Sequence, residues 1–86
     1  MEYMLAVFSI RTDTINFNRL LNKNGIKSTV VETPTSASTS CGISVNFAFK
    51  DLPQARRMLP VSGTKSFVRF YVVTGHYGNI KITPIK

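Results

Sequence analysis

Residues 3–10 read Tyr3-Met4-Leu5-Ala6-Val7-Phe8-Ser9-Ile10, and both alternating faces of the stretch are apolar. Tyr3, Leu5 and Val7 lie on one face, Met4, Ala6 and Phe8 on the other. A strand with one face in water alternates polar and apolar residues. A doubly apolar strand belongs at the centre of a covered sheet, or at a dimer face. The run is too short for a transmembrane helix, follows Glu2, and lacks the basic stretch of an export signal. It reads as a buried first strand, Tyr3 to Ile10, in a chain that stays in the cytoplasm.

Working outward, Thr12 and Asp13 look like a helix start, with the acid in the first turn where the helix dipole favours it. Phe17, Leu20 and Leu21 supply an apolar stripe at i, i+3, i+4, which Ile15 does not join, and Gly25 is a natural C-terminal stop. Ile26 to Thr33 is a second, β-branched strand ended by Pro34. A polar loop follows, Thr35-Ser36-Ala37-Ser38-Thr39-Ser40-Cys41-Gly42. A third strand, Ile43 to Lys50, alternates with Ile43, Val45, Phe47 and Phe49 inward and Ser44, Asn46, Ala48 and Lys50 outward. Asp51-Leu52-Pro53-Gln54 has the spacing of a reciprocal helix cap. It opens a short helix with Leu52, Ala55 and Leu59 on one side, ended by Pro60.

Phe67 to Thr74 reads as a fourth strand presenting Phe67, Tyr71 and Val73 on one face. Gly75-His76-Tyr77-Gly78 reads as a turn with a solvated histidine. Asn79 to Thr83 then returns as a fifth, edge strand blunted by Pro84 and its lysines. The order β-α-β-β-α-β predicts an α+β, ferredoxin-like two-layer sandwich with an antiparallel sheet. We expect one domain over residues 1–74 and an appended turn and strand over 75–86.

Eighty-six residues suffice for one domain, and 43% hydrophobic with 17% charged residues is ordinary globular composition. A single cysteine excludes an internal disulfide framework and a multi-cysteine zinc site. With one histidine and no paired nucleophile and base in sight, the reading carries no metal, no cofactor and no independent catalytic activity. The net charge of +7 favours anionic partners, but the eleven Lys and Arg residues are scattered rather than gathered in a stripe.

The fold order places the chemistry. The first and second strands run parallel, so the end of the first, the start of the first helix and the loop after the second share one rim of the sheet. Cys41 should therefore lie beside Ile10-Arg11-Thr12. Free amides at a helix N-terminus, or the Arg11 guanidinium, favour a thiolate, the reactive form of cysteine. Hydroxyls of Ser36, Ser38, Thr39 and Ser40 are further donors, and Gly42 permits a positive φ or a close approach. Without a general base, a carrier thiol fits better than a hydrolytic nucleophile. The plainer reading is a small buried cysteine in an ordinary Ser/Thr loop.

Three stretches carry a resemblance: Leu5-Ala6-Val7-Phe8 through Leu20-Leu21 to Gly25-Ile26, the loop Thr33-Pro34 to Ser40-Cys41-Gly42, and Gly42-Ile43-Ser44-Val45 leading to Asp51. On these the chain resembles the putative selenium/sulfur carrier-like family of small bacterial domains, over roughly its first sixty residues, one domain's worth. The resemblance implies a thiol, at the matching position Cys41, that holds sulfur or selenium as a persulfide or perselenide. It also implies donor and acceptor proteins as partners, with Pro34, Ser36, Ser38, Thr39, Ser40 and Gly42 around the sulfur. After Thr33-Pro34 the family usually has a basic residue, where this chain has Thr35. Any role of that cation is either lost here or taken by Arg11.

Two other classes stand beside the carrier. Lys65-Ser66-Phe67-Val68-Arg69-Phe70 faintly resembles the aromatic signature of RNA-recognition modules. It lies on the wrong strand, and the outward face of the third strand offers no stacking aromatic. A non-catalytic interaction module, a homodimer packed through sheets, would cover the second apolar face of the first strand.

Overall fold

The computed structural model of the chain describes residues 2–34, 41–76 and 78–85. Its elements are β1 (Glu2–Phe8), α1 (Arg11–Lys23), β2 (Ser28–Glu32), β3 (Ile43–Ala48), a 3₁₀ turn (Phe49–Asp51), α2 (Leu52–Met58), β4 (Phe67–His76) and β5 (Asn79–Ile85). The five strands form one sheet in the order β2-β3-β1-β4-β5, with every neighbouring pair antiparallel. The doubly apolar β1 is the central strand, as its composition requires. The architecture is α+β, a five-stranded antiparallel sheet with two helices. No helix among the described residues is long and apolar enough to cross a membrane.

Met4, Ala6 and Phe8 of β1 meet Phe17 and Leu21 of α1, Val45 and Phe47 of β3, Ala55 and Met58 of α2, and Phe70 of β4 in the main core. Leu5 and Val7 point to the opposite face and pack with Tyr71 and Val73. All four are buried within the single chain. Leu5 and Val7 of the second apolar face are thus already inaccessible to solvent, with Tyr3 partly buried beside them, so the apolarity of that face does not call for a second copy of the chain.

Helix α1 buries Thr14, Phe17 and Leu21 on one stripe, with Leu20 packed at the margin. It ends in a Schellman closure: Ile26 N–H donates to Leu21 O and Gly25 N–H to Asn22 O, with Gly25 at φ 82°. Ile15 is exposed, as its position off the stripe implies. The start of the helix departs from expectation. Helix α1 begins at Arg11 after Ile10, with no side-chain cap of its own, and Asp13 turns outward to another segment. Helix α2 likewise lacks the reciprocal cap expected from Asp51 and Gln54, because Asp51 still belongs to the preceding 3₁₀ turn and makes no side-chain cap bond.

Two phenylalanines lie elsewhere than the alternation predicts. Strand β3 ends at Ala48, which pairs with Tyr3 near the start of β1. The ladder stops there, one residue short of the start of β1, and Phe49 enters the 3₁₀ turn and is 47% exposed. In β4 the pairing with β1 shifts between Val7 and Phe8: Arg69 faces Val7 but Phe67 faces Phe8. Val68 is the extra residue of this bulge, which turns Phe67 away from the Tyr71 and Val73 face. Phe67 instead stacks among aromatic rings of the main core, 5.5 Å from Phe8 and 4.9 Å from Phe70 between centroids.

At the C-terminus, Gly75 and His76 are strand residues rather than turn residues, since β4 and β5 pair from Phe70↔Ile85 to His76↔Asn79. Gly78, just before β5, sits at φ 89°. The solvated side chain expected of His76 and the position of Tyr77 lie outside the described residues. Pro84 is accommodated because β5 is an edge strand.

Candidate functional site

One rim of the sheet gathers four pieces of chain: the end of β1, the start of α1, the two ends of the β2–β3 connection, and the segment entering β4. The connection is closed at its base by Thr33 N–H donating to Gly42 O at 2.9 Å, and by a hydrogen bond between the hydroxyls of Thr33 and the fully buried Ser44. Gly42 sits at φ 77°, a conformation costly to a residue with a Cβ, and leads the chain into β3. These constraints seat Cys41 next to the rim, partly exposed.

Cys41 Sγ donates to Phe8 O at 3.0 Å and to Ile43 O at 3.1 Å, and lies 3.7 Å from Thr14 Oγ1. The topological expectation holds: the sulfur sits where β1 ends and α1 begins. The serine and threonine hydroxyls expected around it lie outside the described residues. The described bonds of Sγ run to two carbonyls and one hydroxyl, not to an amide of α1 or to the Arg11 guanidinium. Carbonyl oxygens only accept, so they suit a sulfur that carries its proton. Arg11 is exposed at the first position of α1.

The same rim is clamped by a polar knot. Asp13 Oδ2 accepts from Lys65 N–H (3.1 Å), Ser66 N–H (3.0 Å) and the Ser66 hydroxyl (2.7 Å). The Ser66 oxygen in turn accepts from Ile10 N–H at 3.0 Å, and Ser66 O accepts from Ser9 N–H at 2.9 Å. Ser66 thus accepts from the N–H of the N-cap residue Ile10, the bond that the third residue of a capping box would otherwise make. The Ser66 hydroxyl, chiefly, holds the Asp13 carboxyl below its ordinary value, with partial desolvation working against it and the two amides and the Lys65 charge adding to it.

Of the residues expected at the site, Cys41, Gly42 and Arg11 lie on this rim, and Pro34 follows the loop base at Thr33. Ser36, Ser38, Thr39 and Ser40, with Thr35, lie outside the described residues. Thr14 and Ser66 were not anticipated. Thr14 carries a signal in hindsight: one turn before Phe17, it extends the apolar stripe of α1 with a polar side chain, buried completely. Ser66 carries none, since its partners are more than fifty residues away along the chain.

The family model of the Putative Se/S carrier protein-like proteins matches residues 3–65, from β1 through α2 and its exit. The chain belongs to this family. No curated protein and no solved structure matches it. The matched region contains Cys41 and Thr14 but stops before Ser66 and β4, so the central sheet is completed by residues beyond it.

Proposed function

We propose that the protein is a cysteine-based carrier of sulfur or selenium, with Cys41 as the attachment point and no independent catalytic activity. The observation that supports this reading best is the position of Cys41: the chain's one thiol, partly exposed at the sheet rim within the region matched by the carrier family. A donor bearing a persulfide presents its outer sulfur to the Cys41 thiolate. A new S–S bond forms as the donor's own S–S bond breaks. The donor leaves as a thiolate and takes up the proton that Cys41 lost. Cys41 ends as a persulfide and the donor as a thiol, with no net oxidation; a perselenide donor transfers selenium in the same way.

In this reading Pro34, Ser36, Ser38, Thr39, Ser40 and Gly42 border the loaded atom, and Arg11 lies on the approach to it. Strands β1 to β4 with their two helices constitute a ferredoxin-like sandwich, β4 running two residues past the expected boundary at 74 and β5 being appended to it, and the protein works in the cytoplasm. A sheet-packed homodimer is less favoured, since Leu5, Val7, Tyr71 and Val73 are buried without a partner. Intact-mass analysis after incubation with a persulfide-generating desulfurase tests the carrier reading. Wild type should gain a sulfur that a thiol reductant removes, and Cys41→Ser should not. An unchanged wild-type mass, while a known acceptor is loaded in parallel, refutes it.

A further inference from the structure

The fold sorts cations that are scattered along the chain. Arg11 opens α1 and Arg69 lies near the start of β4, both at the rim that holds Cys41, and Arg56 and Arg57 occupy the last turn of α2, which runs toward that rim. The opposite end of the sheet, where α1 stops, β2 begins and β3 ends, carries Lys23, Lys27 and Lys50, with Lys81 of β5, and no arginine among the described residues. Arginine is enriched in protein interfaces and lysine depleted, because the planar guanidinium grips a carboxylate through two hydrogen bonds and sheds water more readily. We propose that the Cys41 rim is a docking surface for a protein that presents carboxylates around an apolar centre. Such a protein is the donor or acceptor of the carrier reading, on which this assignment rests for its purpose, whatever the protonation of the sulfur.

The rim also supplies the apolar half of the match. Ile10 is 53% exposed and Val68 40% exposed. Ser66 brings them together, since its hydroxyl oxygen accepts from Ile10 N–H at 3.0 Å and its carbonyl from Ser9 N–H at 2.9 Å, two residues before Val68. Arg11 follows Ile10 and Arg69 follows Val68, so each exposed aliphatic side chain has an exposed cation next to it. Val61, 75% exposed, lies in the connection from α2 to β4 that arrives at the same rim. The described acids at this end are Asp13 and Glu32, and Asp13 is held by Lys65 and Ser66. A groove of about 430 Å³ bordered by Val68, Arg69, Pro84 and Ile85 offers a seat for one partner side chain. Nucleic acid answers the charge but not the side chains, because the exposed apolar residues here are aliphatic and give a base no ring to stack on. A second copy is opposed by the net charge of +7 on each chain.

NMR amide shifts of isotope-labelled protein, with no sulfur donor present, test the assignment. The probe is a short peptide of leucines set among glutamates, at physiological ionic strength. Its controls replace leucine by serine or glutamate by glutamine, and oligothymidylate stands for nucleic acid. We expect shifts centred on Ile10, Arg11, Lys65, Val68 and Arg69, and several-fold weaker binding of each control. Arg11→Gln combined with Arg69→Gln should weaken the peptide several-fold, and Lys23→Gln combined with Lys27→Gln should change it little. All four side chains are exposed, so both variants should keep the fold. Shifts centred on Lys23, Lys27 and Lys50, equal losses in the two variants, or no binding overturn the proposal. So does tighter binding of oligothymidylate at the rim, which would make the partner a nucleic acid, or rim shifts on concentrating the protein alone, which would make it a second copy. No sulfur moves in this experiment, so its failure leaves the loading experiment standing. A failure of loading would leave the docking surface in place without that purpose.

Discussion

Cys41 Sγ hydrogen-bonds to the main-chain oxygen of Phe8, 3.0 Å away and thirty-three residues earlier in the chain. This bond ties the end of the central strand to the mouth of the β2–β3 connection, and it depends on the sulfur keeping its proton. The side chain that we assign to sulfur transfer is therefore also a small structural tie.

Replacing the sulfur separates these two roles. Cys41→Ser keeps a hydroxyl able to donate to Phe8 O or Ile43 O, whereas Cys41→Ala leaves both carbonyls without that donor. Alanine should cost about 1 kcal/mol more than serine in urea-unfolding stability, the usual net worth of one such bond. Equal stability of the two variants would mean that the contacts contribute nothing.

The Asp13 knot predicts an acid-dependent loss. Its carboxyl is held below the ordinary value of 3.8, so its contribution is fully present above that pH and is lost as pH falls through the lower, folded-state value. Asp13→Asn should destabilise the protein by about 1 kcal/mol at pH 7, at the low end for a charged acceptor because the carboxylate remains open to solvent. The difference from wild type should shrink below pH 3.8 in parallel thermal melts. A difference constant down to pH 2 would contradict the assignment.

The bulge at Val68 and the end of β3 at Ala48 make two phenylalanines unequal. Phe67→Ala removes a ring that packs against Phe8 and Phe70 and should cost about 2 kcal/mol, less than for a fully buried phenylalanine. Phe49→Ala, at a 47% exposed position, should cost within about 0.5 kcal/mol. Chemical-denaturation midpoints decide between this ranking and its reverse, which unbroken strand alternation would produce.

Gly42 is a backbone requirement. A Cβ there would meet no atom of the described residues within 4 Å, its chain neighbours aside, so Gly42→Ala tests φ 77°. The cost should be about 1 kcal/mol, and Gly42→Asn should cost less because asparagine tolerates the left-handed region. If alanine were the milder of the two, the positive φ would not be what glycine is there for.

What could be read from the chain beforehand was what depends on near neighbours. The doubly apolar stretch of β1 implied its central place, and the Phe17, Leu20, Leu21 stripe with Gly25 marked the buried face and end of α1. Topology alone brought Cys41 to the start of α1, because parallel β1 and β2 leave the sheet at one rim. Phe49 and Phe67 were misread since their facing depends on where a partner strand ends and where a bulge falls, and neither is local. Asp13 resembled a first-turn acid serving its own helix. Its bonds instead reach Lys65 and Ser66, across a separation that no spacing rule signals.

A carrier must release what it accepts, and one pulse-chase measurement follows both steps. Wild-type protein is loaded with radiolabelled sulfur from a desulfurase, freed of the donor, and mixed with a protein thiol acceptor, while label on each chain is followed under non-reducing conditions. We predict label on wild type before the chase, its passage to the acceptor during it, and none at any time on Cys41→Ser. Label that leaves only on addition of reductant, or that marks the Cys41→Ser chain equally, would contradict the account.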